Sequence, residues 1–197
     1  MTISLERTDR IKMAEPGELT LDQLFERLEQ MPVPEGYKVE IVEGTVYMTP
    51  QRDVHWDTIF DIATELRTHF GRKALVKSDV RIDFPGHKNG FCPDVAKLSE
   101  KAEKENGRWR HQDIEFVAEV VSKGTGMNDY GPKKDAYAAA EVPVYLIVDP
   151  YVGRCRVFTH PQDGEYKRDL TLAYGEPIDL TDTVLGMTIP TDEFPRD

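Results

Sequence analysis

The sequence predicts a mixed α/β domain in which a central β-sheet is flanked by helices. Segments with helical spacing of apolar residues are interspersed with short strand-like segments along the chain. Residues 144–148 are almost wholly apolar, as expected for a strand buried on both faces. Hydrophobic residues make up 39% of the 197 residues and charged residues 31%, which is typical of a globular domain and not of general disorder.

The chain is long enough for one domain with a short extension at each end. Residues 1–16 are polar and are predicted to form a flexible N-terminal arm. Residues 17–190 are predicted to form the single domain, and residues 191–197 a frayed tail.

Three helices are predicted. Thr20 and Gln23 form a capping-box pattern before an apolar repeat over residues 21–28, which the prolines after Met31 end. Asp129 is expected to cap a third helix that runs to about residue 141, with Pro132 in its first turn. The second helix begins at Asp53, is closed by Gly71, and carries a predicted apolar stripe of Trp56, Ile59, Phe60, Ala63, Leu66 and Phe70.

The remaining apolar runs predict strands. Glu43 and Gly44 separate two of these runs as a hairpin turn, and Asp163 and Gly164 separate two others. The predicted strands are residues 39–42, 45–48, 74–84, 91–98, 114–121, 144–148, 154–159 and 165–172.

Composition narrows the class of protein. No apolar run reaches the roughly 18 residues of a membrane-spanning helix, and residues 1–15 lack a secretory signal pattern. Cys92 and Cys155 are too few for a disulfide framework and lack zinc-site spacing, so we expect a cytoplasmic protein. The net charge of −11 argues against broad electrostatic binding of nucleic acid, but it leaves room for a local groove or a metal site.

Two carboxylates occupy strand positions where acids are unusual. Asp94 lies in one predicted strand and Glu119 in the next. By two-residue alternation, Ile114, Phe116, Ala118 and Val120 share one face, and Glu119 lies on the other. If the strands are neighbours, Asp94 and Glu119 converge as oxygen ligands suited to Mg²⁺ or Mn²⁺. The alternative is that both acids face solvent or pair with lysines.

The third predicted helix carries Asp129, Lys133 and Tyr137 at intervals of four, so Lys133 and Tyr137 share a face. Lys133 either reaches over the sheet toward the acids or forms an ordinary exposed pair with Asp129. Glu40 is a further acid in a strand. His55 is a lone helical histidine, a type that is more often structural than a ligand.

Together these residues resemble the Uma-two family of restriction-endonuclease-like proteins, long classed as a domain of unknown function. The resemblance covers about residues 37–166 and depends on the order of the motifs. These are Glu40-x-x-Glu43-Gly44, His55, Pro93-Asp94, Glu119-Val120-Val121-Ser122, Asp129-x3-Lys133-x3-Tyr137 and Val142-Pro143-x-Tyr145-x-Ile147-Val148-Asp149-Pro150.

The resemblance implies the restriction-endonuclease-like fold and a metal-dependent PD-(D/E)xK phosphodiesterase site. Asp94 matches the first acid of that motif and Glu119 the second. The usual lysine would lie at position 121, where this chain has Val121. Lys133 matches a lysine carried instead on the following helix, so the implied catalytic residues are Asp94, Glu119 and Lys133.

The resemblance also implies the surroundings of the metal. Glu40 and the backbone carbonyl of Val120 would complete the coordination of Mg²⁺ or Mn²⁺ by Asp94 and Glu119. Residues that would contact the phosphate or support the ligands are His55, Ser122, Asp129 and Tyr137. The expected substrate is DNA, with no membrane association, and a homodimer would place two sites on a duplex.

Two other functions remain open. A nuclease-like fold without activity would serve as a binding or assembly module, which the net charge and Val121 favour. A hydrolase of small phosphoesters would have a closed small pocket instead of a groove. A basic rim around Asp94 made by Arg81, Lys97, Lys133 and Lys134 would favour nucleic acid, whereas an acidic rim would favour the module.

Overall fold

The computed structural model describes residues 10–11, 19–32 and 35–197. Within these ranges the chain forms α-helices and one short 3-10 helix. They are α1 (Leu21–Glu29), α2 (Asp53–Phe70), the 3-10 helix (His111–Asp113), α3 (Gly126–Tyr130) and α4 (Pro132–Ala139).

The strands form two six-stranded sheets and a small hairpin. In chain order they are β1 (Arg10–Ile11), β2 (Tyr37–Val42), β3 (Thr45–Pro50), β4 (Val76–Lys77), β5 (Ile82–Phe84), β6 (Asn89–Phe91), β7 (Val95–Leu98), β8 (Trp109–Arg110), β9 (Ile114–Val120), β10 (Val144–Asp149), β11 (Arg154–Gln162), β12 (Glu165–Ala173), β13 (Ile178–Asp179) and β14 (Thr188–Ile189).

The first sheet has the strand order β1-β3-β2-β6-β5-β8, and the second has the order β12-β11-β10-β9-β7-β4. Both are mixed: β9 and β10 run parallel in the second sheet, and β5 and β8 in the first, while their other pairings are antiparallel. The predicted α/β class with mixed sheet and flanking helices is confirmed, although the strands divide between two sheets.

The second sheet is covered on both faces. Phe116 and Ala118 of β9 pack with Ile62 and Leu66 of α2 in one apolar cluster. Val117, one residue along β9, packs in the opposite cluster, which also contains side chains from α4 and the first sheet. Side chains on the second of these faces therefore lie between the two sheets, and Glu119 is on that face.

Several predicted elements are confirmed. Thr20 accepts a hydrogen bond from the Gln23 amide at 3.2 Å, and Gln23 Oε1 accepts one from the Thr20 amide at 3.0 Å, which is the predicted capping box. Helix α2 has the predicted ends, and Gly71 follows it at φ 93°. Strand β10 is a central strand, paired with β9 and β11.

Two predicted elements are broken in the structure. The strand expected over residues 74–84 divides into β4 and β5, which belong to different sheets, and Asp79 between them has φ 54°. The helix expected from Asp129 divides at Gly131, and Asp129 lies inside α3 instead of capping α4. Pro132 begins α4, where its missing N–H leaves no helical hydrogen bond unmade.

The predicted apolar stripe of α2 is only partly buried. Trp56 and Phe60 are exposed, whereas the helix buries Ile59, Ile62 and Leu66. Ile114 also differs from expectation, because it packs in the cluster that contains Val117. A register shift near Leu98 accompanies this change of face.

The C-terminal segment is packed, contrary to the predicted frayed tail. Thr191 and Phe194 are buried, and Phe194 joins the core on the α2 side of the second sheet. Of the predicted arm, residues 1–9 and 12–16 lie outside the described residues, while Arg10–Ile11 pairs with β3. No helix in the described part of the chain is long and apolar enough to cross a membrane.

Candidate active site

The two acids in strand positions lie together between the sheets. Asp94 directly precedes β7 and Glu119 is on β9, and the antiparallel register pairs Val95 with Ala118. Asp94 is therefore opposite Glu119, with both side chains almost fully buried at 2% and 1% exposure. Glu40 of β2 joins them from the first sheet and is also buried.

Helix α4 brings the predicted lysine to the same place. Lys133 Nζ is 2.7 Å from Glu119 Oε1, 3.2 Å from Glu40 Oε2 and 3.1 Å from Asp129 Oδ1. One turn further along, Tyr137 donates a hydrogen bond of 2.6 Å to Glu119 Oε1. Lys133 and Tyr137 thus share a face, as their spacing predicts, and that face meets Glu119.

A second lysine, Lys38, occupies the site, and the sequence reading missed it. Its Nζ is 2.7 Å from Asp94 Oδ1 and 3.4 Å from Glu119 Oε2. Alternation along β2 supplies the missed signal, because residues two apart in a strand share a face, so Lys38 accompanies Glu40.

Backbone amides fix two of the carboxylates. The Val120 amide donates to Asp94 Oδ2 at 2.7 Å, and the Cys92 amide donates to Glu40 Oε1 at 2.8 Å. Each bond leaves the carboxylate with fewer free orientations. The acids are therefore held in place by the two sheets that carry them.

The charges in the cluster reinforce one another. Burial opposes the charge on Lys38 and Lys133, but the neighbouring carboxylates outweigh it and raise the pKa of both lysines. Burial likewise opposes the charge on Glu119, but Lys133 and Lys38 outweigh it and lower the pKa of that carboxyl. The lysines and Glu119 are therefore charged at neutral pH.

Asp129 behaves differently from Glu119. Burial raises its pKa to about 7, with Lys133 opposing the shift and the Glu119 carboxylate adding to it. Because the folded-state pKa lies above the ordinary value of 3.8, ionising Asp129 costs stability as pH rises from about 4 to 7.

We therefore expect the stability advantage of Asp129→Asn over the wild type, measured as the free energy of unfolding, to be larger near pH 8 than near pH 5 by at least about 1 kcal/mol. Urea denaturation of both proteins at the two pH values measures this difference. Asparagine mimics the protonated form of Asp129. The other acids are present in both proteins, so their pH dependence cancels in the comparison. An advantage that does not grow with pH would contradict the assignment.

His55 and Ser122 form a pair at one side of the cluster. His55 Nε2 and Ser122 Oγ share a hydrogen bond of 2.8 Å, and His55 is buried. Burial lowers the pKa of His55, and the positive charges of Lys38 and Arg52 add to this effect against the opposing Asp94 carboxylate. A neutral His55 is therefore favoured, which suits a hydrogen-bonding role better than a charged one.

Val121, at the position where the family motif usually has lysine, is tightly packed. Val121 is buried in the apolar cluster that includes Tyr137. A Cβ built on Gly126 would lie 2.7 Å from Val121 Cγ1, so this loop packs closely over the valine. The loop therefore leaves little space beside the Val121 side chain.

A small cavity, partly open to solvent, adjoins the charged cluster. Besides the cluster itself, it is lined by polar side chains that include Thr49, Ser122, Thr125 and Asn128, and by Val120. Asp79 lies nearby, and burial raises its pKa to about 6, with Lys38 opposing and the Asp94, Glu40 and Glu119 carboxylates contributing. Asp79 is a further acid near this site that the sequence reading missed.

The described residues contain no group of three or more acidic, histidine or cysteine side chains arranged to hold a metal ion. The carboxylates of Glu40, Asp94 and Glu119 are nevertheless hard oxygen donors, and a cation, the Lys38 ammonium, already lies among them. The donor chemistry therefore fits a divalent cation.

The four basic residues that would form a basic rim around Asp94 are engaged with acids. Arg81 pairs with Asp22 and Asp83, Lys134 with Asp135, and the buried Lys97 with Glu115, while Lys133 is internal. None of the four therefore offers a positive charge without an acidic partner among the described residues.

The fold and site define this protein as a mixed α/β protein with a buried cluster of acids and lysines between two sheets. The chain belongs to the Uma2 family, described as "Putative restriction endonuclease", whose pattern matches residues 25–192. This confirms the family resemblance seen in the sequence.

A solved structure supports the fold assignment. A protein of Anabaena variabilis ATCC 29413, described as a putative nuclease belonging to DUF820, superposes with a TM-score of 0.68 at 13% identity. The match covers 90% of this chain and 97% of that one. Among curated proteins, none matches the chain significantly in sequence.

Proposed function

We propose that this protein is a divalent-metal-dependent endonuclease that hydrolyses DNA phosphodiester bonds at Asp94, Glu119 and Lys133. The observation that carries the proposal is that these side chains, from three separate segments, meet in one buried cluster. Lys133 contacts Glu119 there, and Lys38 bridges Glu119 and Asp94. Membership of a family described as "Putative restriction endonuclease" supports the reaction class.

Asp94 and Glu119 would hold the metal, with Glu40 and the Val120 carbonyl as further oxygen donors. A bound Mg²⁺ or Mn²⁺ would polarise the scissile phosphate and lower the pKa of a water molecule. Tyr137 restrains Glu119 by its hydrogen bond. His55 and Ser122 offer a neutral hydrogen-bonding pair beside the cavity.

Lys133 would neutralise negative charge that develops on the phosphate. Its raised pKa keeps it protonated, so an electrostatic role suits it better than proton abstraction. Its contacts with Glu119, Glu40 and Asp129 hold the ammonium on the site although α4, not β9, carries it. This arrangement would compensate for Val121.

We expect wild-type protein to nick or linearise supercoiled plasmid in Mg²⁺ or Mn²⁺ and to be inactive in EDTA. Lys133→Met should reduce the cleavage rate roughly a hundredfold, because it removes one fixed charge from the site. Mn²⁺ binding, measured by calorimetry, should persist in this variant.

Lys134→Met is the matched control, since Lys134 is the next residue on α4 and its ion pair within the described part of the chain is with the exposed Asp135. It should cleave at the wild-type rate. Equal cleavage by Lys133→Met and wild type would remove Lys133 from the mechanism. No metal-dependent cleavage of single- or double-stranded DNA by wild type would contradict the proposed activity.

The second candidate function is a binding or assembly module without activity. The pairing of Arg81, Lys97 and Lys134 with acids favours it, because these cations are not free to meet a phosphate backbone. Absence of plasmid cleavage with retained metal binding would support this alternative. Hydrolysis of bis(p-nitrophenyl) phosphate without plasmid cleavage would support a small-phosphoester hydrolase instead. The homodimer and the cytoplasmic location stay predictions.

A further inference from the structure

Lys38 lies at the centre of the acids that the proposed function assigns to the metal. Its Nζ is 2.7 Å from Asp94 Oδ1, 3.4 Å from Glu119 Oε2 and 3.7 Å from Glu40 Oε2. The side chain is only 7% exposed. Lys133, by contrast, contacts Glu119 through the other oxygen, Oε1. Lys38 is therefore the cation that bridges Asp94 and Glu119.

The two lysines neutralise most of the negative charge of the cluster. The carboxylates of Glu40, Asp94 and Glu119 face the two ammonium groups of Lys38 and Lys133. Most of the negative charge that would attract a divalent cation is thus already neutralised from within the chain. A buried carboxylate cluster that two ammonium groups already stabilise gains little from an added divalent cation unless one lysine leaves.

Lys38 Nζ also occupies the place where a metal ion would bind. Mg²⁺ binds oxygen at about 2.0–2.1 Å and needs the carboxylate oxygens themselves. Lys38 Nζ is hydrogen-bonded to Asp94 Oδ1, one of those oxygens. An ammonium group and a divalent cation a few ångströms apart would also repel strongly in a buried site.

We propose that the Lys38 ammonium is a built-in competitor of the divalent cation, which fills the position between Asp94 and Glu119 and must move away before metal binds. The inference rests on the proposed function, because it concerns the same site. The adjoining cavity is lined by Lys38 together with the hydroxyl and amide groups of Thr49, Ser122 and Asn128, and these can receive the displaced ammonium. Lys38 thereby sets the metal concentration at which the site fills.

The test compares Mn²⁺ binding by isothermal calorimetry at neutral pH in wild type, Lys38→Met, Lys133→Met and Lys97→Met. Lys38→Met should bind Mn²⁺ at least about tenfold more tightly than wild type, because no cation has to be displaced. Lys97→Met is the matched control, since Lys97 is also a buried, acid-paired lysine, but its partner is Glu115 outside the site. It should bind as wild type does.

Lys133→Met distinguishes the loss of one positive charge from the removal of the ammonium that lies between Asp94 and Glu119. It removes one positive charge from the cluster but leaves Lys38 between Asp94 and Glu119, so its gain should be smaller. Equal gains in Lys38→Met and Lys133→Met would overturn the proposal, as would a Lys38→Met affinity no tighter than that of wild type. Absence of Mn²⁺ binding in both wild type and Lys38→Met would overturn it too.

A crystal structure of wild type soaked in Mn²⁺ keeps the inference testable if Lys38→Met does not fold. An anomalous peak between Asp94 and Glu119, with Lys38 Nζ moved from Asp94 Oδ1, is the expected result. A bound ion elsewhere, with the Lys38 contact intact, would overturn the inference. Failure of the proposed function has a separate signature, because wild type would then bind Mn²⁺ but not cleave DNA.

Discussion

Glu119→Gln should lower the rate of plasmid cleavage by about a thousandfold while leaving the fold in place. The substitution keeps the shape of the side chain but removes the charge that contacts Lys133 at 2.7 Å and Lys38 at 3.4 Å. It therefore weakens the proposed metal site and the anchoring of Lys133 together. A loss of this size corresponds to about 4 kcal/mol of transition-state stabilisation.

Glu115→Gln is a matched control on the same strand. Glu115 lies four residues before Glu119 on β9, but its ion-pair partner is Lys97 and not one of the cluster lysines. Its cleavage rate should equal that of wild type. Rates are measured in Mg²⁺ at a temperature where circular dichroism shows all three proteins folded. Comparable loss in both variants would indicate a general effect of β9 and contradict the assignment of Glu119.

The sequence predicted the acids of this cluster because their positions conflict with ordinary strand composition. Asp94 and Glu119 are charged residues in segments that otherwise bury apolar side chains. Their proximity required only that the two strands be neighbours, as β7 and β9 are. Helical spacing and the family resemblance also predicted a role for Lys133. Its contact with Glu119 depends on how α4 packs on the second sheet, which periodicity alone does not specify.

Lys38 is the site residue that the sequence pattern did not predict. A lysine in a strand is usually exposed, and nothing in the local pattern marks Lys38 as buried. Only the packing of the two sheets brings β2 against Asp94 and Glu119. The contacts of Lys38 with these acids span sequence separations of 56 and 81 residues. Alternation with Glu40 relates the two residues to each other but not to the distant acids.

The fold was predictable where local chemistry is strong. The capping box set the start of α1, and Gly71 marked the end of α2. The prediction failed where tertiary packing selects among equivalent local patterns. Helix α2 carries two apolar ridges, and the sheet covers the ridge with Ile59 and Ile62, so Trp56 and Phe60 stay exposed. Spacing alone does not tell which ridge faces the core.

Backbone conformation accounts for the two broken elements. Asp79 adopts φ 54°, which a continuous strand cannot include, and the chain passes from one sheet to the other on either side of it. Gly131 has φ −119° and ψ −105°, outside the helical region, and separates α3 from α4. Both departures lie next to the candidate site and bring Asp79 and Asp129 to its edge.

Strand β10 offers the largest expected effect on stability. Its residues alternate between the two apolar clusters, with Leu146 in the cluster beside α2 and with Tyr145 and Ile147 in the opposite one. All three are fully buried. Because β10 pairs with β9 and β11, the strand has little freedom to move into a space left by a smaller side chain.

Leu146→Ala should therefore reduce the free energy of unfolding by about 2–5 kcal/mol, through lost apolar burial and the cavity left behind. Leu170→Ala is the matched control, because Leu170 lies on β12 of the same sheet but is 54% exposed. It should change stability by no more than about 0.5 kcal/mol. Urea denaturation followed by circular dichroism measures both. A loss below about 1 kcal/mol for Leu146→Ala would contradict the central place of β10, since only a strand free to readjust could absorb the deletion so cheaply.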